Sequence, residues 1–511
     1  MNKRLLFKIT MGAVASAALA FAQLGGGAPA GGGGSVAAPL PLSGRTGSSG
    51  SVTTTQTPVP GTNSSVNTLN NSISVQGTYS GSTNSTGALP FSGKLSLHEA
   101  IQRGLTANLS VTGLSTAIKQ AEGQARVARA ALMPNISGSY RENVLEQDLQ
   151  VLGLSFPGAP KVVGPIAYFD LRATLSQAVV DMTALNNLKA SRENLAAQQQ
   201  SIQNVRDVIV LAVGGAYLQT IAAKAKLVSA KAQLETASAL LKQTQESKDS
   251  GVAAQIDVNR SQVQQAVQQQ RLATLQNDLS RQKINLARLT GLPPNDQFDI
   301  SDDVPYSAAP PLTVEDAVKQ SMESRSDLKS AQTQIRVAER AKTAARDERL
   351  PTLSIVGDYG TIGPRFSEAR STFTFAASLK VPIWAGGRAA GDIMQADAAL
   401  DQRRAEAEDL RGQIESEIRN SYLDLQAAAS QIELAKQNQQ LARDTLRLTR
   451  EKFDLGVSTT VEVTQAEADV ASSDLDYISS LFAHNLAKLS LAREMGNADK
   501  RVDEYLHPAA N

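Results

Sequence analysis

Hydrophobic residues in this chain follow two different periods, and the two periods alternate along the sequence. Residues 97–133, 183–250 and 254–289 carry apolar positions three or four apart, which predicts amphipathic helices. After the first helical segment, two stretches alternate apolar and polar residues, which predicts strands: Ile136-Gly138-Tyr140 and Leu171-Ala173-Leu175-Gln177-Val179. The predicted unit is therefore a helix, two strands, a very long helix and a further helix. At about 1.5 Å per residue, the very long helix would extend roughly 100 Å.

The second half of the chain repeats this unit. Residues 187–291 align with residues 392–496 at a shift of 205 without a gap, and residues 95–137 align with 312–354 at a shift of 217. The two shifts differ by 12, so the first copy has 12 extra residues between its strands. A length difference confined to a loop indicates a structural unit that is used twice.

The two ends of the chain differ from the repeats. Residues 1–22 have the basic start, short apolar run and small-x-small ending of a secretory signal peptide, with a retained anchor helix as the alternative. Residues 23–92 are rich in Gly, Ser, Thr and Asn, which predicts a flexible extension; a tether for peptidoglycan or a partner is the functional alternative. The other predicted boundaries are repeats at 93–292 and 312–496, a connector at 293–311 and a tail at 497–511. No later segment is expected to cross a membrane as a helix.

Composition narrows the function without naming it. The net charge is +1 and the charges are evenly mixed, which argues against a nucleic-acid partner. The absence of cysteine excludes disulfides and thiolate chemistry. The three histidines are scattered and no phosphate-binding loop follows a strand. We therefore expect no enzymatic activity, no cofactor and no metal site.

The predicted strands have the composition of membrane strands. The two strand regions, with the loops between their strands, hold nine of the 21 aromatic residues, and the strands place apolar side chains on one face, among them Leu171, Leu175, Phe373, Phe375 and Leu379. An apolar outer face, a polar inner face and aromatic ends are typical of a membrane β-barrel, although hairpins of a soluble domain are the alternative. Four strands cannot close a barrel, because open sheet edges are not tolerated in lipid. Several chains would have to contribute strands.

Three motifs carry a family resemblance. The second strand pair ends in Pro382-Ile383-Trp384-Ala385-Gly386-Gly387-Arg388, and the helical hairpins turn at Lys248-Asp249-Ser250-Gly251-Val252 and Phe453-Asp454-Leu455-Gly456-Val457. Together with the duplication, these motifs resemble the TolC-like outer-membrane efflux channels over about residues 94–496. The resemblance implies a mostly α fold with a β membrane segment. It further implies a homotrimer whose 12-strand barrel, in outer-membrane lipid, is continuous with a long periplasmic α-barrel.

The resemblance also implies a function. The chain would be the passive exit channel of a tripartite efflux pump or a type I secretion system, located in the outer membrane with a long periplasmic portion. Its partners would be a periplasmic adaptor and an inner-membrane pump of the RND, ABC or MFS type. A soluble periplasmic coiled-coil scaffold or adaptor is the alternative, and a secreted surface fibre is a third possibility. Alternating strands with aromatic ends favour the channel over the scaffold, and a fibre would not need the matched strand pairs.

The turns between the long helices are the predicted docking surface. Glycine supplies the positive φ that a tight helix–helix turn requires, and this is sufficient reason for its presence. The resemblance adds that Gly251, Val252, Gly456 and Val457 contact the adaptor.

The helix after the second turn is the predicted gate. The resemblance implies carboxylate rings at Glu462 and, in the first repeat, Asp257, which would favour cations; an exposed helical carboxylate without a special role is the alternative. Gln465 replaces the second acid of the family. Phe453 and Ser458 stand where the family carries polar or charged locking residues, so we predict a weakly latched gate.

Overall fold

The computed structural model of the chain describes residues 51–60, 67–83, 93–148, 162–251, 253–293, 298–301, 306–307, 312–496 and 498–506. The predicted signal peptide and Val252 lie outside the described residues. The helices are α1 (Leu97–Ala107), α2 (Leu109–Ala130), α3 (Met182–Asp249), α4 (Gln255–Thr290), α5 (Val314–Ser324), α6 (Ser326–Asp347), α7 (Arg388–Asp454), α8 (Thr460–Glu494) and α9 (Ala498–Leu506). The strands are β1 (Val52–Pro60), β2 (Asn67–Val75), β3 (Lys94–Leu95), β4 (Asn135–Asp148), β5 (Val162–Val180), β6 (Asp299–Ile300), β7 (Thr352–Gly363) and β8 (Arg370–Lys380).

The predicted repeat of helices and strands is confirmed, with one systematic difference. Each copy was expected to open with a single helix, but the structure divides it in two, at Asn108 in the first copy and at Arg325 in the second. Both residues have extended backbone angles, with ψ of 136° and 124°. The two residues are 217 positions apart, so the break belongs to the duplicated unit. Asn108 also caps α2, because its side chain accepts a hydrogen bond from the Ser110 N–H at 2.8 Å.

The four long strands form one antiparallel sheet in the order β4-β5-β7-β8. Each strand alternates its side chains between the two faces, so the register fixes which residues share a face. Among the described residues, the outer edges of β4 and β8 have no strand partner. The sheet of a single chain is therefore open on both sides.

The helices pack in an equally open layer. Towards the turns that link α3 to α4 and α7 to α8, the helices are adjacent in the order α4, α3, α8 and α7. Towards the sheet, the order is α2, α3, α6 and α7. Thus α7 lies at one edge of the layer throughout, while α2 and α4 share the opposite edge.

The main hydrophobic core lies midway along the layer, where the order of helices near the turns gives way to the order near the sheet. It joins α1, α3, α4, α8 and α9, and its largest fully buried side chain is Tyr217. The Tyr217 hydroxyl donates a hydrogen bond to the carbonyl of Leu95 at 2.9 Å. One stretch of α3 is long and apolar enough to cross a membrane, contrary to expectation, but 78% of it is buried inside the protein. This stretch belongs to the core.

The prediction of a flexible extension over 23–92 is wrong for the part that the structure describes. Strands β1 and β2 form an antiparallel hairpin, and Val52, Ile73 and Val75 at its base pack on the main core. Ile73 fits against Gly215 of α3, where a Cβ atom would lie only 2.3 Å from its side chain. The polar composition of the segment conceals these few apolar residues, which supply enough contact to hold it against the helices.

Residues 498–506 also pack on the core. They form α9, whose Val502, Tyr505 and Leu506 are buried. The carboxylate of Asp207 on α3 accepts a hydrogen bond from the N–H of Asp499 at 3.2 Å. A carboxylate at the start of a helix stabilises it by satisfying a free N–H group, so Asp207 secures α9 from a neighbouring helix.

Candidate functional site

One face of the sheet is apolar and exposed. The predicted membrane residues Leu171, Leu175, Phe373, Phe375 and Leu379 all lie on this face and are between 36% and 79% exposed. In the register, Leu175 is opposite Gly357, which in turn is opposite Phe375. A continuous exposed apolar face of this kind is not stable in water, so it requires lipid or another protein surface.

Aromatic side chains mark the two ends of this face. At the loop end, Phe169 stacks between Phe366, at a ring-centroid distance of 4.4 Å, and Tyr140, at 6.3 Å. At the end that joins the helices, Trp384 is 87% exposed. Aromatic rings at both borders of an apolar band are typical of strands that cross a membrane.

The opposite face of the sheet is polar, as the sequence predicted. Arg172 lies at its centre and donates hydrogen bonds to Asp170 at 3.2 Å, to Thr372 at 3.3 Å and to Asp358. These partners belong to β5, β8 and β7, so one guanidinium connects three strands. The face therefore contains charged groups that are paired with one another.

The two helical hairpins turn in the same way. At the second turn, the N–H groups of Gly456 and Val457 bond to the carbonyls of Phe453 and Lys452, both at 2.9 Å. This is a Schellman arrangement, and Gly456 adopts the required positive φ of 73°. Gly251 has a φ of 78° in the first turn. Val457 is 77% exposed, which leaves the end surface of the hairpin accessible.

The candidate gate acids occupy matching positions in the first turns of α4 and α8. Asp257 pairs with Arg260 at 3.5 Å, within its own helix. Glu462 accepts a hydrogen bond from the Ser458 hydroxyl at 2.5 Å, and its N–H is capped by Thr459. Carboxylates are stabilised at helix N-termini by free N–H groups and the helix dipole. Both acids therefore have a local structural role, whichever further role they have.

The other two gate candidates have separate environments. Gln465 donates a hydrogen bond to Asp469 at 3.1 Å, so the structure places a carboxylate one turn beyond the position where the family's second acid was expected. Phe453 lines a cavity of about 330 Å³ that is enclosed by α3, α7 and α8. The structure thus brings Ser458 and Glu462 into contact, and it does not connect Phe453 to them.

The sequence analysis did not predict the polar contacts between the two helical hairpins of one chain, α3–α4 and α7–α8. We call this contact surface the polar seam. Near the turns, Gln243 of α3 donates a hydrogen bond to Asp454 of α7 at 3.0 Å. Further along, the Ser229 hydroxyl of α3 donates to Asp474 of α8 at 3.0 Å, and Arg443 of α7 donates to the same carboxylate at 2.9 Å. The first two contacts join α3 to the second hairpin. The contact between Arg443 and Asp474 joins α7 to α8 within the second hairpin, beside α3.

The seam is incompletely packed. A second cavity of about 230 Å³ adjoins the first, and Thr236 lines both. Arg450 and Glu467 form an ion pair of 2.9 Å between the two cavities. Burial raises the pKa of Glu467, and Arg450 opposes the shift. The alignment of the two copies contains a signal for the seam, since α3 carries polar residues where α7 carries leucines.

Comparison with known proteins identifies the family. The sequence matches the family described as outer membrane efflux protein over residues 100–292 and 317–497, which correspond closely to the two repeats. The chain belongs to the outer membrane efflux protein family. This efflux protein is 22% identical over 389 residues to the outer membrane protein TolC of Vibrio cholerae, covering 73% of this chain and 84% of that one. It is also 22% identical over 344 residues to the pyoverdine export outer membrane protein OpmQ of Pseudomonas putida, covering 66% and 71%.

Solved structures agree with this assignment at the level of the fold. The efflux protein superposes on the outer membrane protein VceC of Vibrio cholerae with a TM-score of 0.67 and 19% identity, covering 78% of this chain and 96% of that one. It superposes on the CmeC outer membrane channel of Campylobacter jejuni with a TM-score of 0.69 and 14% identity, covering 81% and 90%. The efflux protein is an outer-membrane exit channel with a periplasmic helical portion, so the predicted exit-channel function and outer-membrane location are confirmed.

Proposed function

We propose that three copies of the chain close into one channel, with a 12-strand barrel in the membrane and a helical barrel in the periplasm, and that this channel is the exit of a tripartite efflux or secretion assembly. The observation that carries the proposal is that every layer of the chain is open at the same two sides. β4, α2 and α4 form one side, and β8 and α7 form the other.

The sheet supplies the first reason for closure. The unpaired edges of β4 and β8 present backbone N–H and C=O groups that have no water to bond with in lipid. β8 runs antiparallel to β7, and β4 runs antiparallel to β5, so β8 of one copy pairs antiparallel with β4 of the next. Such a joint satisfies both edges and repeats around a closed ring. Four strands per copy and three copies give 12 strands.

The helices supply the second reason. α7 and the residue that ends it expose a strict heptad of leucines, Leu434, Leu441, Leu448 and Leu455, which are between 49% and 79% exposed. On the opposite side, α4 exposes Ile256, Val263 and Val267. Apolar residues that recur every seven positions are a coiled-coil contact surface. Joining α7 of one copy to α4 of the next buries both surfaces in the same closure that joins the sheet edges.

The proposal assigns the exposed turns and their acids to partners and gating. Gly251, Val252, Gly456 and Val457 form the surface for a periplasmic adaptor, which connects the channel to an inner-membrane pump of the RND, ABC or MFS type. In the trimer, the three copies of Asp257 and of Glu462 form acidic rings at the mouth, which favour cations. The channel itself supplies no energy, and transport depends on the pump.

Two measurements test the assembly. Native mass spectrometry of the full chain in detergent is expected to give a trimer, whereas a monomer or an eight-strand dimer contradicts it. In planar bilayers, the trimer is expected to form cation-selective channels. Glu462→Gln is expected to reduce the cation preference, and an unchanged preference would remove Glu462 from the mouth. Gln465→Glu is the matched addition, and it is expected to raise the preference.

A further inference from the structure

The polar face of the sheet carries more positive than negative charge. Its described side chains include four cations and two anions, a net charge of +2 for each copy. The cations are Arg141, Arg172, Arg370 and Lys380, and the anions are Asp170 and Asp358. This excess is unexpected beside the acidic mouth formed by the helical turns.

The two anions are already occupied. Arg172 bonds to Asp170 and Asp358 simultaneously, so these three groups form one paired cluster. Arg141 and Arg370 are exposed, and neither has an ion-pair partner among the described residues. The paired cluster carries a net charge of −1, so Arg141 and Arg370 leave the loop half of this face with a net charge of +1 for each copy. Lys380 supplies the remaining positive charge at the other end of β8.

These two arginines lie in the same cross-strand row of the sheet. Arg141 is opposite Asp170, Asp170 is opposite Ile362, and Ile362 is opposite Arg370. Arg141 is on edge strand β4 and Arg370 is on edge strand β8. A closed barrel would bring the two edge strands together, so three copies would place six such arginines and three copies of Asp170 in a belt around the lumen, with a net charge of +3.

We propose that Arg141 and Arg370 form a basic belt in the outer half of the lumen, which attracts anionic solutes and opposes the cation preference of the periplasmic mouth. The inference rests on the closed barrel of the proposed function. Fixed charges that line a pore determine which ions accumulate in it. Anionic solutes that pass the mouth therefore meet a favourable potential before they leave the channel.

The range of this effect sets the conditions for a test. The Debye length is about 10 Å at 0.1 M salt and about 3 Å at 1 M. A belt on the wall of a wide lumen therefore influences ions across the pore at low salt and only near the wall at high salt. Its contribution to selectivity is expected to be large at 0.1 M and small at 1 M.

The experiment compares the permeability ratio of chloride to potassium in planar bilayers, from reversal potentials in KCl gradients. The double variant Arg141→Gln/Arg370→Gln is expected to lower this ratio by about twofold at 0.1 M KCl on the barrel side, and by less at 1 M. Arg141→Lys/Arg370→Lys keeps the charge and is expected to retain the wild-type ratio. Glu142→Gln changes a neighbouring charge on the opposite face of β4 and is also expected to have no effect.

The same pair of substitutions is then measured with Glu462→Gln present, so that the mouth does not mask the belt. A ratio unaffected by the double variant in both backgrounds overturns the inference, while wild-type conductance still supports the channel. Failure of the wild-type chain to conduct at all overturns the proposed function instead. If the double variant does not assemble, each single glutamine variant is expected to give about half of the effect, and no effect in either overturns the belt.

Discussion

The helices α3 and α7 occupy the same place in the two copies, but their matching faces are opposite in character. Positions 205 residues apart pair polar residues of α3 with leucines of α7: Ser229 with Leu434, Thr236 with Leu441, and Gln243 with Leu448. The polar residues face the other hairpin of the same chain and line two cavities. The leucines are exposed in a single chain.

This difference between α3 and α7 gives the duplicated unit two kinds of contact surface, one polar and one apolar. A polar, incompletely packed seam gains little from the hydrophobic effect, so its two hairpins move apart at a low cost in free energy. By contrast, the exposed leucines of α7 would form an apolar seam, the leucine seam, in a subunit contact. Separating such a contact costs about 25 cal/mol of free energy for each Å² of apolar surface that becomes exposed to water. In the proposed trimer, the apolar seam would therefore hold the subunits together, while the polar seam within each subunit would permit the mouth to open.

The helix breaks at Asn108 and Arg325 give a second comparison. In the first copy, the Asn108 amide donates a hydrogen bond to the carbonyl of Tyr79, beside the N-terminal hairpin, at 2.8 Å. In the second copy, Arg325 is buried and bonds to both Asp327 and Glu417 at 2.6 Å. The same break is thus secured by neutral hydrogen bonds in one copy and by a buried ion cluster in the other.

The leucine seam provides the largest expected effect. Leu441→Asp places a charge in each of three subunit contacts, and burying an unpaired charge costs several kcal/mol. We expect the trimer to be lost, as measured by native mass spectrometry. Thr236→Asp at the matching position of α3 adds the same charge to the polar seam, beside its two cavities, and is expected to leave the trimer intact. Equal loss in both variants would show that the two faces do not differ as described.

The ion cluster provides the next largest effect. Arg325→Leu leaves Asp327 and Glu417 without their main cation, and breaking a buried pair costs about 3–5 kcal/mol. Asn108→Ala removes one neutral hydrogen bond and one helix cap, for about 1–2 kcal/mol. We expect the thermal unfolding midpoint to fall more in the arginine variant. A larger fall for Asn108→Ala would reverse the comparison.

The carboxylate of Asp207, which accepts a hydrogen bond from the first turn of α9, has no counterpart in the second repeat. Gly412 occupies the position in α7 that Asp207 occupies in α3. Burial, with the neighbouring charge of Asp499, raises the pKa of Asp207 to about 6. The folded state therefore retains a proton that the unfolded state releases between about pH 4 and pH 6. Stability attributable to Asp207 is greatest below this range, decreases as the pH rises through it, and stays low above pH 6.

Asp207→Asn removes this titration and retains an acceptor for the N–H of Asp499. We expect the variant and the wild type to have similar unfolding midpoints near pH 4, and the variant to be more stable at pH 7 by roughly 2–3 kcal/mol. The difference between the two proteins should grow between pH 4 and pH 6 and then stop growing. A difference that does not depend on pH would contradict the assignment. Asp499→Asn serves as a control, because it removes a repelling charge and is expected to move the pH range downwards.

Periodicity predicted the elements of this chain well, because long amphipathic helices and alternating strands leave a strong pattern in sequence. The predicted long helix at 183–250 differs from α3 by one residue at each end. The breaks at Asn108 and Arg325 were missed, since a single capping residue or a buried cation does not interrupt the apolar period. The packed hairpin β1–β2 was missed because its apolar contacts are few and its partners are distant in sequence.

The site was predictable only where local geometry determines it. Glycine at the helix turns follows from the positive φ, so Gly251 and Gly456 could be assigned from sequence. The contact between Ser458 and Glu462 joins residues one turn apart and could also have been deduced. The bond between Gln243 and Asp454 joins residues 211 positions apart, and only the packing of the two hairpins side by side, with α8 against α3, brings them together.

That bond provides the smallest expected effect and the most direct test of the polar seam. A hydrogen bond between exposed side chains contributes about 1 kcal/mol. Gln243→Ala is therefore expected to shift the equilibrium between closed and open mouth towards the open state by about fivefold for each subunit. We expect more frequent openings in single-channel recordings, with the trimer unchanged. Leu448→Ala, at the matching position of α7, is expected to weaken the trimer without increasing the openings. If both variants affect the same property, the two seams do not divide assembly from gating.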